Sequence, residues 1–295
     1  MTANILVLGR NGQVARELDR LGAPEGFQLV FAGRENFDLS AGADPAALLE
    51  THAPVAVINA AAYTAVDKAE SESDAAFRLN RDVPAAIARA CAERGVPFVH
   101  FSTDYVFDGR KSAPYLENDP IGPTGVYGRS KAEGEAAVTA AGGRHAILRT
   151  SWVYSAFGAN FVKTMLRLSE TRDELDVVAD QTGRPTWARD CAEGALRSVK
   201  ALLDGAPGFG GVYHLSGAGD ATWADFAEAI FAEFAARGGR RPKVNRITTA
   251  DYPTPAARPA NSRLDCSKLE AALGWKMRPW REGLAACMDE LTAPG

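Results

Sequence analysis

Short apolar runs rich in β-branched residues alternate with helix-patterned stretches through the first half of this chain, and that alternation leaves few architectures open. The runs fall at residues 5–8, 29–32, 55–59, 96–101 and 146–148, and the helical patterns at 12–21, 44–51, 73–94 and 126–141. Strands separated by helices form a parallel sheet, because a parallel neighbour is reached only by a crossover. These runs are apolar at both parities of the two-residue period, as strands covered on both faces are. The expected fold is therefore α/β, a doubly wound parallel sheet of Rossmann type, over residues 1–150.

Beyond residue 150 the pattern changes. Helical stretches near 160–169, 188–203 and 223–236 are separated by loops rich in Gly and Pro, so 151–295 reads as a smaller, mainly substrate-binding region with segments that return to pack on the first. Pro253, Pro255 and Pro259 make 247–263 an ordered loop, since proline lacks the N–H that helices and central strands need.

Gly9-Arg10-Asn11-Gly12-Gln13-Val14-Ala15 follows the first run and opens the first helix, a G-x-x-G-x-x-A pattern. A strand that turns tightly into a helix leaves unpaired helix N–H groups aimed beyond the sheet, where they favour phosphate. In such a turn Gly9 lets the chain reverse, Gly12 admits a pyrophosphate, and Ala15 keeps helix and sheet close. The placement points to a dinucleotide. After the second run the chain reads Ala32-Gly33-Arg34-Glu35, and Arg34 suits a 2′-phosphate, so NADPH is favoured, with NADH an alternative.

Tyr127 and Lys131 stand four apart, hence one turn apart on a helix face. Hydride addition to a ketone builds negative charge on oxygen, and a proton donor must meet it. An ammonium ~4 Å from a phenol is worth roughly 4 kcal/mol at an effective dielectric of ~20, enough to lower a pKa of ~10 to ~7. The pair alone arises readily by chance. It gains weight from Thr103, at the end of the fourth run, where ligands sit in open α/β sheets and where a hydroxyl can share a hydrogen bond with Tyr127 and a substrate oxygen.

Together with the glycine loop and Ser102-Thr103-Asp104, these residues resemble the extended short-chain dehydrogenase/reductases. The strings from Asn59 to Glu70, Ser102 to Phe107, Arg149 to Tyr154 and Tyr252 to Arg263 are similar to those of the dTDP-4-dehydrorhamnose reductase family, and the likeness runs nearly end to end. The resemblance implies reduction of the C4 ketone of dTDP-4-dehydro-β-L-rhamnose, with Tyr127 as proton donor and Lys131 lowering its pKa and holding the nicotinamide ribose. It places Thr103, Asp104 and Trp152 on the sugar. Gly12, Gln13 and Val14 would face the pyrophosphate, Asp38 and Leu39 the adenine end, and Ala62, Tyr63 and Thr64 the middle of the cofactor. Some members dimerise through a magnesium site built from glutamates. Glu17 matches one such position, but Thr186-Trp187-Ala188-Arg189-Asp190 is shorter than the family pattern and lacks a glutamate, so the sequence supports neither the metal nor that homodimer.

Two other readings share these residues: an epimerase or dehydratase of nucleotide sugars with retained NAD, and a catalytically silent regulatory subunit. A formal net charge of −4 offers no basic field for nucleic acid. No apolar stretch approaches the ~20 residues that would span a bilayer, and no signal peptide is legible, so the expected location is the cytoplasm. The scattered Cys91, Cys191, Cys266 and Cys287 form neither a zinc pattern nor a disulfide framework.

Overall fold

The structure, a computed structural model, describes residues 2–34, 37–38 and 41–293. In chain order its elements are β1 (Ala3–Leu8), α1 (Gln13–Leu21), β2 (Phe27–Ala32), α2 (Pro45–His52), β3 (Ala56–Asn59), α3 (Val66–Ala69), α4 (Ser73–Phe77), α5 (Val83–Glu93), β4 (Phe98–Thr103), α6 (Val126–Ala140) and β5 (His145–Thr150). There follow β6 (Val153–Tyr154), α7 (Phe161–Ser169), β7 (Glu174–Val178), β8 (Thr182–Gly183), β9 (Thr186–Trp187), α8 (Ala188–Leu203), β10 (Gly211–His214), β11 (Ala221–Thr222), α9 (Trp223–Ala236), β12 (Lys243–Ile247), α10 (Ser267–Leu273) and α11 (Trp280–Thr292).

Six strands form one all-parallel sheet in the order β10-β5-β4-β3-β1-β2. Its α/β, Rossmann-like architecture is the expected one. Every residue of β3 and β4 is buried, and so are the last four of β1, because helices cover both faces. One face carries α1 and α8, where Ile5, Val7, Leu18 and Val199 are buried together. The other carries α2, α5 and α6 over Leu6, Val57, Ile87 and Ile147. Each such side chain contributes roughly 1.5–3 kcal/mol through burial.

The order in which successive strands are laid down reverses between β1 and β3. Chains leaving neighbouring strands there diverge to opposite faces and open a crevice beyond the strands' carboxyl ends. Gly9 leaves β1 at that point with φ +97°, and a Cβ on it would lie 2.9 Å from the Ala61 nitrogen, so only glycine lets the β1 and β3 exits come this close.

Sequence patterning missed β10, a four-residue strand flanked by Gly208, Gly210 and Gly211 that extends the sheet beside β5. It also read 73–94 as one uniform helix, whereas Arg78–Asp82 form a π-helical turn between α4 and α5. Pro84 explains the interruption, since it offers no N–H to the ordinary ladder and its ring crowds the preceding turn. A second core, with Tyr154, Val162, Phe226, Ile230, Trp280 and Met288 buried in it, is enclosed by α7, α9, α11 and the parallel β7–β12 pair. All four cysteines are buried and free.

Candidate active site

A cavity of about 300 Å³ opens at the crevice between β1 and β3. Gly9, Gly12, Arg34, Asp38 and Ala62 line it, as the sequence led one to expect, and Arg10, Asn11 and Phe37 join them. Gly12 is the N-cap of α1 and offers no side chain to the first turn, so that turn's N–H groups face a site without steric cover. The cavity thus fits a dinucleotide phosphate. Gln13 and Val14 lie just inside the helix, where Gln13 Oε1 accepts a hydrogen bond from Asn160 Nδ2 (2.9 Å) and Val14 packs against the core. Leu39 lies outside the described residues.

Asn80, in the π-helical turn, joins this crevice to α6. Its Oδ1 accepts from the Tyr63 backbone N–H (2.9 Å), and its Nδ2 donates to the Tyr63 carbonyl (3.0 Å) and to Ser130 Oγ (3.0 Å). Ser130 in turn donates to the Tyr127 carbonyl (2.8 Å). The 62–64 stretch and the first turn of α6 are therefore held in one register by a fully buried amide. Sequence reading passed over Asn80, whose partners lie 17 and 50 residues away. The α6 terminus has no side-chain cap of its own. Glu70 supplies one by accepting from the Val126 N–H (2.8 Å), which also sets a negative charge at the positive end of the helix dipole.

Tyr127 and Lys131 lie in the first two turns of α6, against the end of β4. Gly128 between them is required there, because a Cβ would fall 2.2 Å from the Tyr105 carbonyl oxygen. The Tyr105 ring meets the Tyr127 ring edge-on at 5.5 Å. The electrostatics depart from expectation. Burial pushes the Tyr127 phenol up to about 12, with Thr103 pulling it down and Asp104 raising it further, so the value near 7 expected from a neighbouring ammonium is not reached. Lys131 Nζ, for its part, donates to the Phe101 carbonyl (2.6 Å) and lies 3.4 Å from His100 Nε2. Burial lowers its ammonium to about 8, partly offset by Glu135 one turn later.

Thr103 ends β4, and its hydroxyl donates to Asp104 Oδ1 (2.9 Å) and accepts from the Tyr105 N–H (3.3 Å). The same hydroxyl lies within hydrogen-bond reach of Tyr127, whose pKa it lowers. Burial pushes the Asp104 carboxyl up to about 6 despite the Ser262 and Thr103 hydroxyls, and its Oδ2 is buried with no hydrogen-bond partner. Thr103 pairs with Thr150 across β4–β5, so Trp152 emerges from the neighbouring strand end. Trp152 adopts φ +49°, a strained region for a bulky side chain. Its ring stacks on Trp223 at 3.6 Å and 10°, and a Cβ at Gly183 would fall 2.4 Å from it. Trp223 is held in turn by the Thr222–Asp225 capping box that starts α9.

A family model described as the RmlD substrate binding domain matches residues 3–293. The chain belongs to that family. The RmlD relationship extends to individual proteins. The chain is 50% identical over 279 residues to a dTDP-4-dehydrorhamnose reductase from Sinorhizobium fredii (strain NBRC 101917 / NGR234), covering 94% of each. It superposes with a TM-score of 0.91 on a dTDP-4-dehydrorhamnose reductase from Clostridium acetobutylicum, at 36% identity, covering 98% of this chain and 99% of that one. On the Bacillus anthracis dTDP-4-dehydrorhamnose reductase solved in complex with NADP the TM-score is 0.90 at 33% identity, covering 98% and 100%.

Glu17, which the sequence likeness matched to a metal-site glutamate, is held here by other side chains. It is fully buried, accepts from Ser155 Oγ (2.5 Å), and faces Arg189 Nε at 3.7 Å. Arg189 also lies 3.5 Å from Glu290 Oε1, whose other oxygen meets Arg20 (2.5 Å). Two guanidiniums thus oppose two carboxylates, and among the described residues no group of three or more His, Cys, Asp or Glu could hold a metal. No helix among them is long and apolar enough to cross a membrane.

Proposed function

We propose that this chain reduces the C4 ketone of dTDP-4-dehydro-β-L-rhamnose to dTDP-β-L-rhamnose, as the names of its relatives suggest. The reading rests on one observation above the others: Asn80 ties the 62–64 segment at the glycine-loop crevice to the helix turn bearing Tyr127. NADPH, when bound, supplies the hydride. The backbone of Gly9, Gly12, Gln13 and Val14 receives its pyrophosphate, Arg34 and Asp38 its adenosine end, and Ala62, Tyr63 and Thr64 its middle. Tyr127 gives its proton to the C4 oxygen as negative charge develops there, and an oxygen that becomes alkoxide-like is basic enough to take it even from a phenol raised to about 12. Lys131 holds the nicotinamide ribose.

On the substrate side, Asp104 Oδ2 offers a buried acceptor to a sugar hydroxyl, and Thr103 orients that carboxylate. Trp152, fixed between Trp223 and Gly183, forms a wall for the sugar. The second core, which supplies Trp223 and Gly183, is the substrate-binding region, and the six-stranded sheet is the dinucleotide-binding one. We place the enzyme in the cytoplasm, where its nucleotide-sugar substrate is made.

The test is cofactor stoichiometry. Purified protein given NADPH and the 4-keto sugar consumes one NADPH per product; retained NAD that cycles without net consumption would instead mark an epimerase or dehydratase. Arg34→Ala raises the KM for NADPH more than that for NADH. An unchanged NADPH preference removes Arg34 from 2′-phosphate recognition.

A further inference from the structure

Beneath the α6 turn that carries Tyr127 lies a row of buried polar groups with no part in the chemistry so far. Asn59 and His100 are register partners on β3 and β4, exposed by 1% and 0%, and Lys131, 2% exposed, lies against His100. The Ala61 N–H donates to Asn59 Oδ1 (3.1 Å), which fixes the amide so that Nδ2 faces His100 Nδ1 at 3.1 Å. An amide nitrogen only donates, so His100 Nδ1 must accept. Burial and the charge of Lys131 hold the His100 pKa well below its ordinary value, leaving the ring neutral with a single hydrogen. That hydrogen is then on Nε2, 3.4 Å from Lys131 Nζ.

An ammonium at Nζ would meet this N–H donor to donor, whereas a neutral amine accepts from it and still donates to the Phe101 carbonyl. We propose that His100, its tautomer locked by Asn59, is a positioning residue that holds a ring N–H against Lys131 and so favours the neutral amine of that lysine. The other groups that act on the amine come from each element around it. β4 gives His100 and the Phe101 carbonyl, β3 gives Asn59 through His100, and α6 gives Glu135, whose charge is shared with Arg149 of β5. Glu135 opposes the effect of His100. The lysine is balanced between a carboxylate that favours its charge and an imidazole N–H that disfavours it, which suits a group asked to release and regain a proton near neutral pH. The significance of that balance for turnover rests on the reductase reading; the tautomer and the titration of Lys131 do not.

Asn59→Asp reverses the polarity of the row. A carboxylate at 59 can only accept, so the ring hydrogen moves to Nδ1 and Nε2 becomes an acceptor for the ammonium. In wild type, 15N spectra of labelled histidine show His100 neutral and protonated at Nε2. A 13Cε-lysine titration then gives Lys131 a midpoint that rises in Asn59→Asp, corresponding to about a tenfold or greater gain in proton affinity. A wild-type ring protonated at Nδ1 overturns the proposal even if the variant does not fold. So does a folded Asn59→Asp protein in which Lys131 titrates unchanged. If the reductase reading also holds, the alkaline limb of kcat/KM moves upward with the Lys131 midpoint; both NMR results obtained with a protein that reduces no ketone would uphold the inference and sink that reading alone.

Discussion

Replacing Glu135 by glutamine would expose how much the interior behind α6 depends on one ion pair. Glu135 takes two hydrogen bonds from Arg149, Nε to Oε1 at 2.9 Å and Nη2 to Oε2 at 2.7 Å, and a third from Ser102 Oγ at 2.5 Å. The two side chains are only 4% and 2% exposed, so water cannot take over when one charge is removed. Glutamine keeps the volume and one acceptor oxygen but removes the counter-charge, leaving the Arg149 cation with neutral partners, among them the Glu117 carbonyl at 3.2 Å and His214 Nε2 at 3.5 Å. His214, held neutral because burial and Arg149 keep its pKa down to about 3, supplies no counter-charge. Removing one partner of such a pair costs about 3–5 kcal/mol, whereas replacing both by apolar groups of similar volume is often close to neutral. At about 2–4 °C per kcal/mol for a chain of this size, Glu135→Gln lowers Tm by about 6–20 °C. Urea denaturation followed by tryptophan fluorescence, on Glu135→Gln, Glu135→Leu, Arg149→Met and the double variant Glu135→Leu/Arg149→Met, gives the coupling directly. The double variant is expected to be more stable than Glu135→Gln. A loss below about 1 kcal/mol in Glu135→Gln would refute the idea that this carboxylate neutralises a charge which water cannot reach. The same variant has a kinetic consequence with a definite sign: Glu135 raises the Lys131 pKa, so its loss moves that midpoint below about 8 and brings the alkaline limb of kcat/KM to lower pH.

Asp104→Asn stabilises the protein at pH 8 while reducing activity, a trade typical of functional sites. The folded pKa of about 6 exceeds the ordinary value of 3.8, so the penalty for the buried carboxylate is fully present above about pH 6 and absent below about 4. Stability curves of wild type and variant should differ by about 2–3 kcal/mol at pH 8 and converge as the pH falls through that window; parallel curves would exclude this cause. Gly183→Ala pushes a methyl group into the Trp152 ring, so the KM for the nucleotide sugar rises several-fold with the KM for NADPH unchanged. Steady-state kinetics with each substrate varied separately checks this, and an unaltered sugar KM removes Trp152 from the substrate wall.

What the sequence disclosed and what it hid divide along the reach of the contacts. The β1–Gly9–α1 unit is local, written in adjacent residues, and its crevice lies where the strand–loop–helix reading put it. The four-residue spacing of Tyr127 and Lys131 is likewise a property of one helix. Their electrostatics are not: Lys131 turns to a carbonyl and an imidazole 30 and 31 residues away, and burial raises the Tyr127 pKa where a depression was expected. Asn80 and Asn59 are ordinary residues in sequence and gain their roles only when a π-helical turn and a strand pairing bring distant donors to them. The strand β10 was hidden because its glycine-rich flanks break the apolar signal, and the stacking of Trp152 on Trp223 joins residues 71 apart. The absence of a glutamate in 186–190 was visible, whereas the Arg189 guanidinium that faces Glu17 and Glu290 needed the fold.

The account stands most directly on Tyr127 as the proton donor to the C4 oxygen. Tyr127→Phe, measured by single-turnover oxidation of NADPH with dTDP-4-dehydro-β-L-rhamnose, should bind both ligands with near wild-type affinity and lose about 10²–10⁴-fold in rate. Turnover within a few-fold of wild type, with binding intact, would contradict it.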